Sequence, residues 1–329
     1  GQTTRLVPVT GLPSSRPQAM VVTQMVAGPQ AAYAQVAECG TSVFAGGDYR
    51  ISDGVATRLP LHGELTLMGG VHHAWGLAYA SPSTGAGSAG PAAGTVMTAL
   101  DGGPTITLPP YTDLVADTTA GLVVDHYDPT TPDTPPVLEV LDPTTGAPRY
   151  PLVNGYPRGG DARLVVVENR GCAVSPFAVR CSLAGIDVAS GRTQMTATLP
   201  AGRLPVSNLT FSADGTEAAF LLSRAHQDPR FATGHPVGPE DVAVLDVATG
   251  QLSFVPGVEL APKAQAGLAF DPQDRLLIAV SQGSHGDLLE WQSGWPFPDR
   301  VTTLPGPLVD SPLLLPVVAG SPPQARAQS

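Results

Sequence analysis

Lysine is almost missing from this sequence: Lys263 is the only one in 329 residues, and basic residues nowhere form a run. With a formal net charge of -11, the chain lacks the counterion-release term that drives nucleic-acid binding. Neither nucleic acid nor an anionic membrane surface is therefore an expected partner. Long apolar runs are also missing, since none approaches the ~18 residues of a membrane helix. The opening GQTTRL has no signal-peptide core, so the chain reads as soluble, and any signal or membrane tether would lie outside these residues. No G-x-S-x-G nucleophile elbow occurs. The glycines of GAGSAG (85–90) precede neither a helix nor Lys-Ser/Thr, which argues against a phosphate loop.

Cysteine is scarce: Cys39, Cys172 and Cys181. The last two bracket a loop-like stretch containing Pro176 and could meet across a hairpin. A disulfide there would place the protein outside the reducing cytoplasm, as a secreted, periplasmic or cell-surface lipoprotein. The alternative is two cytosolic thiols, but free cysteine prefers burial and this stretch reads as exposed. Cys39 is left over, as a buried thiol.

What is abundant is punctuation, with 37 Gly and 35 Pro. Many short elements joined by tight turns fit this better than long helices. Few Lys beside much Ala, Gly, Pro and Arg matches the coding bias of a GC-rich, bacterial genome. A chain of this length exceeds the usual single core unless it is one of the larger all-β or α/β architectures.

A repeat decides between these. Segments ending in Leu-Pro or a near equivalent close at Pro60, Pro109, Pro151, Pro200, Pro256 and Pro305, and TRLVP (4–8) extends the series to Pro8. Such a period signals stacked supersecondary units. The phrase D-x-x-[ST]-G, in LDPTTGAP (141–148), IDVASGRT (186–193) and VLDVATGQ (244–251), precedes three of these closures and reads as a hairpin turn. Before the turns come apolar runs such as ARLVVVE (162–168) and EAAFLLS (217–223), suited to strands buried on both faces. Each unit thus reads as four antiparallel strands, the plan of a β-propeller blade.

LTFSADGTEAAFLLS followed by VAVLDVATGQLSFVP resembles repeats of the YVTN, TolB-like and WD40-like β-propeller superfamily, most clearly over 105–305. The resemblance implies a fold shared by scaffolds, ligand-binding proteins, lactonases and lyases. The Trp-Asp signature of WD40 repeats is missing, as are the repeated tryptophans of quinoprotein propellers, which argues against a pyrroloquinoline cofactor. The expectation is one domain over 1–329: an all-β, seven-bladed β-propeller, its last blade shared by TRLVP and PLLLPVVAG (312–320). A six-bladed ring is the alternative.

Unit length varies between the second and third strands, in 81–94, 128–136, 172–181 and 223–240. These loops should share one face, where binding usually resides. The candidates there are His226, Asp228, His235, Glu240 and Asp241 in the fifth unit with His285 and Asp287 in the sixth, a set able to hold a divalent metal or supply a base and acid. No H-x-x-x-H spacing supports the metal. A second candidate is DHYD, with Asp125, His126 and Asp128; a solvated strand end is the plainer reading. His72-His73 should lie on the opposite face without a role, and Trp291 and Trp295 should be outer packing. The leading expectation is an extracytoplasmic module binding a protein or small ligand through its loop-rich face. The competing one is a metal-dependent propeller hydrolase or lyase.

Overall fold

A computed structural model describes residues 9–12, 20–38, 47–61, 65–79, 94–131, 134–169, 181–226, 235–260, 266–282 and 285–304. They form six antiparallel sheets, each from strands consecutive in sequence. The first holds β1 (Met20–Ala27), β2 (Ala32–Glu38), β3 (Gly47–Ser52) and β4 (Val55–Arg58). The second holds β5 (Leu65–Met68), β6 (Trp75–Tyr79), β7 (Thr95–Ala99) and β8 (Thr105–Thr107). The third holds β9 (Thr112–Thr118), β10 (Gly121–His126), β11 (Val137–Leu141) and β12 (Pro148–Asn154). The fourth holds β13 (Tyr156–Gly160), β14 (Leu164–Glu168), β15 (Ser182–Asp187) and β16 (Thr193–Thr198). In the fifth, the short β17 (Arg203–Pro205) and β18 (Thr210–Phe211) both pair with β19 (Glu217–His226), followed by β20 (His235–Asp246) and β21 (Leu252–Leu260). The sixth holds β22 (Ala266–Phe270), β23 (Leu276–Gln282), β24 (His285–Trp291) and β25 (Asp299–Leu304).

The sheets are blades around one axis. Val26, Met68, Ala116, Gly160, Phe211 and Ala269, one from the inner part of each sheet, line a common cavity of about 360 Å³. The repeated prolines mark the outermost strands: Pro60, Pro109 and Pro200 follow β4, β8 and β16, while Pro151 and Pro256 lie within β12 and β21. Only an edge strand tolerates a residue that cannot donate to the ladder.

Burial follows from the stacking. Along β19, Phe220 and Leu222 pack toward the fourth blade with Leu183 and Val166, while Ala219 and Leu221 pack toward the sixth with Ile278 and Val280. Both faces of the strand are apolar because both are covered, and each large side chain so buried contributes about 1.5–3 kcal/mol. The outer strands alternate instead, β16 burying Met195 and Ala197 between exposed neighbours.

The D-x-x-[ST]-G phrase is a turn joining third and fourth strands. In VLDVATGQ, Asp246 Oδ1 accepts from the amides of Ala248 and Thr249 at 3.0 and 2.8 Å, and the Gly250 amide donates to the Asp246 carbonyl at 2.8 Å. Gly250 has φ of 72°, and Gly146 and Gly191 repeat this at 70° and 66°. A left-handed residue there favours glycine.

The expectation of seven blades is corrected to six. The segment following TRLVP does not complete a last blade: Thr10 bridges Val55 in parallel, its amide donating to the Gly54 carbonyl at 2.9 Å and its carbonyl accepting from the Ala56 amide at 2.7 Å. It therefore lies along the outer edge of the first blade. Residues 4–8 and 312–320 themselves are outside the described residues.

His72 and His73, expected to have no role, join two blades. The fully buried carboxylate of Asp117 on β9 accepts from His72 Nδ1 at 2.6 Å, from the amides of His72 and His73 at 3.0 Å each, and from Trp75 Nε1 at 3.0 Å. His73 also reaches Asp101 at 2.8 Å. A Cβ on Gly70 would sit 2.3 Å from the Asp117 Cβ, so that glycine is what lets the turn approach. Asp117→Ala would leave four donors without their acceptor and should lower the unfolding free energy by about 3 kcal/mol in urea titration. Asp128→Ala, at an exposed turn, should stay within about 1 kcal/mol of wild type.

Candidate functional site

Consecutive antiparallel strands send their connections alternately to the two ends of a blade. One face of the ring carries the first-to-second and third-to-fourth turns. The other carries the second-to-third loops and the passages between blades.

On the turn face the carboxylates are engaged by their own backbone. Asp161 Oδ1 accepts from the amides of Arg163 and Leu164 at 2.7 Å each, and Asp271 from those of Gln273 and Arg275 at 2.8 and 3.0 Å. Asp142, Asp187 and Asp246 close the repeated turns. A recess of about 150 Å³ between the fourth and fifth blades is lined by Asp161 and Asp187, both thus engaged.

The loop face differs. Asp125 on β10 is the cross-strand partner of Asp113 on β9, and among the described residues no lysine or arginine pairs with either. Asp125 Oδ1 accepts from the Asp113 amide at 3.2 Å. Burial first, and the Asp113 charge second, push the Asp125 carboxyl up to about 6. Burial raises Asp113 as well. Around the pair stand three tyrosines: Tyr79, 51% exposed, Tyr111, 40% exposed, and Tyr127, 41% exposed. The rings of Tyr111 and Tyr127 meet edge-on at 5.5 Å. Burial, then Asp113, raise the phenols of both Tyr79 and Tyr127. His126 Nδ1 lies 3.0 Å from Thr112 Oγ1, and its register partner Val137 is exposed, continuing the patch.

Beside this patch, between the third and fourth blades, lies a recess of about 480 Å³ reached by Asp125, Tyr127, Asp128, Tyr156 and Arg158. Arg158 Nε donates to Glu168 at 2.7 Å, so its charge is balanced within the wall. Asp128 accepts from the amide and hydroxyl of Thr130 at 2.8 and 2.7 Å, which holds its carboxyl below the usual range.

The fifth and sixth blades place the other candidates as follows. Residues 223–226 and 235–240 are paired strand where a long loop was expected: β19 and β20 run on until His226 opposes His235 in register; residues 227–234 lie outside the described residues. Asp228 lies outside the described residues, as do the side chains of His226, His235 and His285. Glu240 is buried on β20. Asp241 pairs with Arg203 at 2.5 Å. Asp287, 1% exposed, accepts from Thr303 Oγ1 at 3.1 Å and faces Arg300 at 3.5 Å. Among the described residues no three His, Cys, Asp or Glu side chains converge as a metal would require. Cys181 is buried at the start of β15, where the loop reading expected exposure; Cys172 and Cys39 are outside the described residues. Trp291 is buried in the core between the fifth and sixth blades, its Nε1 donating to the Trp295 carbonyl at 3.2 Å.

The sequence candidates Asp125, His126 and Asp128 lie at or beside this patch, whereas Asp113, Tyr79 and Tyr111 were not among them. One signal was present: Tyr79 ends β6 and Tyr127 follows β10, equivalent places in successive blades.

No family model matches the chain, and no curated protein matches it in sequence. Solved structures do. The β-propeller domain of Cps50 (Swd1) from Myceliophteria thermophila is 12% identical with a TM-score of 0.51, over 95% of this chain and 93% of that domain. Prolyl oligopeptidase B from Galerina marginata is 12% identical with a TM-score of 0.50, over 88% of this chain, which spans 43% of that protein's length. TolB from Acinetobacter baumannii is 12% identical with a TM-score of 0.45, over 90% of this chain and 65% of that one. The shared feature is the fold, a β-propeller.

An acid held above its unfolded value favours folding while protonated, and that contribution is lost as pH rises through its folded value. Asp125→Asn should therefore melt higher than wild type well above pH 6. The difference should vanish below the ordinary carboxylate range, about pH 4. Thermal melts across pH check this.

Proposed function

We propose that the chain is a binding module, a rigid propeller that holds a protein partner on its loop face. One observation carries this reading: Tyr79, Tyr111, Tyr127 and Val137 form an exposed apolar patch around the half-buried Asp113–Asp125 pair. Amphipathic aromatic rings are the side chains that dominate protein interfaces. The carboxylates beside them are not engaged in closing turns as those of the opposite face are. The inward strands that carry Asp113 and Asp125 are packed between neighbouring blades, so the patch stands on a scaffold that need not order itself on binding.

We infer also an extracytoplasmic location, supported by the spacing of Cys172 and Cys181. The arms of their connection approach at its base, where the Asn169 amide donates to the Ser182 carbonyl at 3.0 Å and the Ser182 amide to Asn169 Oδ1 at 3.2 Å. A disulfide between Cys172 and Cys181 closing this hairpin is the chemistry on which the reading rests.

Cross-linking in a lysate of the source organism, read by mass spectrometry, tests the binding face. Wild type and Phe297→Ala, a change on the turn face, should yield the same partner cross-linked near the tyrosines, and the Tyr79→Ala/Tyr127→Ala double variant should lose it. Cross-links mapping to the turn face, or a partner indifferent to the double variant, would overturn the reading. For the disulfide, alkylating the unfolded, unreduced protein should label Cys39 alone; label on Cys172 removes the support for export.

A further inference from the structure

We propose that the recess between the third and fourth blades receives a cationic side chain, lysine or arginine, from the partner protein, which rests on the loop face being the binding surface. The shape comes first. The recess encloses about 480 Å³, and its walls are rigid: Pro129, Pro136 and Pro157 with the rings of Tyr127 and Tyr156. Such walls suit the aliphatic stem of a long side chain and lose little entropy on filling. An ammonium or guanidinium group is further attracted by aromatic faces.

Charge selects the sign of the occupant. The one cation in the lining, Arg158, is held by Glu168 at 2.7 Å. Asp128 is occupied with Thr130. Asp125 is left facing the recess, with Asp113 as its cross-strand neighbour, and no arginine or lysine among the described residues joins them. Two half-buried carboxylates without a counter-cation are costly alone and favourable once a cation arrives. The raised value of Asp125 reports that same imbalance. An overall charge of -11 steers basic segments toward the protein.

The competing occupants differ in sign or polarity. An anionic group would meet Asp125, with the Asp113 charge behind it, and a purely apolar one would bury Asp125 without a counter-charge. A cation alone satisfies both walls and floor.

The test uses four end-blocked fluorescent peptides, identical except for a central lysine, arginine, norleucine or glutamate, titrated against the full chain by anisotropy. Lysine and arginine peptides should bind, more weakly as salt rises. Asp125→Asn and Tyr127→Ala should each weaken them about tenfold or more. Asp125→Asn serves well because it is expected to stabilise the fold. Norleucine binding as tightly as lysine, or Asp125→Asn leaving affinity unchanged, would overturn the cation while leaving the binding face standing. Failure of all four peptides would overturn the recess as a peptide site, whereas the partner cross-links decide the binding face independently.

Discussion

A four-stranded sheet with two apolar faces cannot stand alone in water, and everything else in this molecule follows from that. The second and third strands of each blade carry branched and aromatic side chains on both sides, as in β14, where all five residues are buried. Only a neighbouring blade on each side can cover them. The chain solves this by repetition, each of the second to fifth blades supplying one wall of two interblade cores. Core clusters join the second and third, third and fourth, fourth and fifth, and fifth and sixth blades. Polar contacts add direction to this packing, and Asp117 is the clearest, reaching from the third blade into the His72–Trp75 turn of the second.

The same repetition separates the two faces. Short turns recur on one, and their aspartates must satisfy the amides that a tight turn leaves open. Those carboxylates are used locally and offer little to a ligand. The other face is built from the segments free to vary in length. There Asp113 and Asp125 meet with no lysine or arginine among the described residues pairing with them, and three tyrosines stand partly exposed beside them. Holding two like charges together costs stability, and such unrelieved arrangements concentrate where a protein does its work.

Much of the fold was legible because its signals are local. The apolar runs, the Leu-Pro closures and the D-x-x-[ST]-G turns report strand burial, edge position and backbone handedness within a few residues. Phasing by VLDVATGQ placed DHYD on the loop face, where Asp125 is found. The blade count was not legible in this way, because TRLVP carries the repeat's mark while Thr10, just beyond it, lies along the first blade's outer edge. Nor was the extent of β19 and β20, whose pairing continues to His226 and His235 through residues of loop-like composition.

By itself, the amino-acid sequence determined the repeating unit, its strand order and the two kinds of face, since these follow from periodicity and turn chemistry along the chain. Tertiary structure alone decided which residues meet. Asp113 and Asp125 become neighbours through strand register, Tyr79 joins them from another blade, and His72 and His73 find Asp117 across an interblade gap. Such contacts depend on how sheets stack and twist, a distance relation between blades that no local pattern encodes.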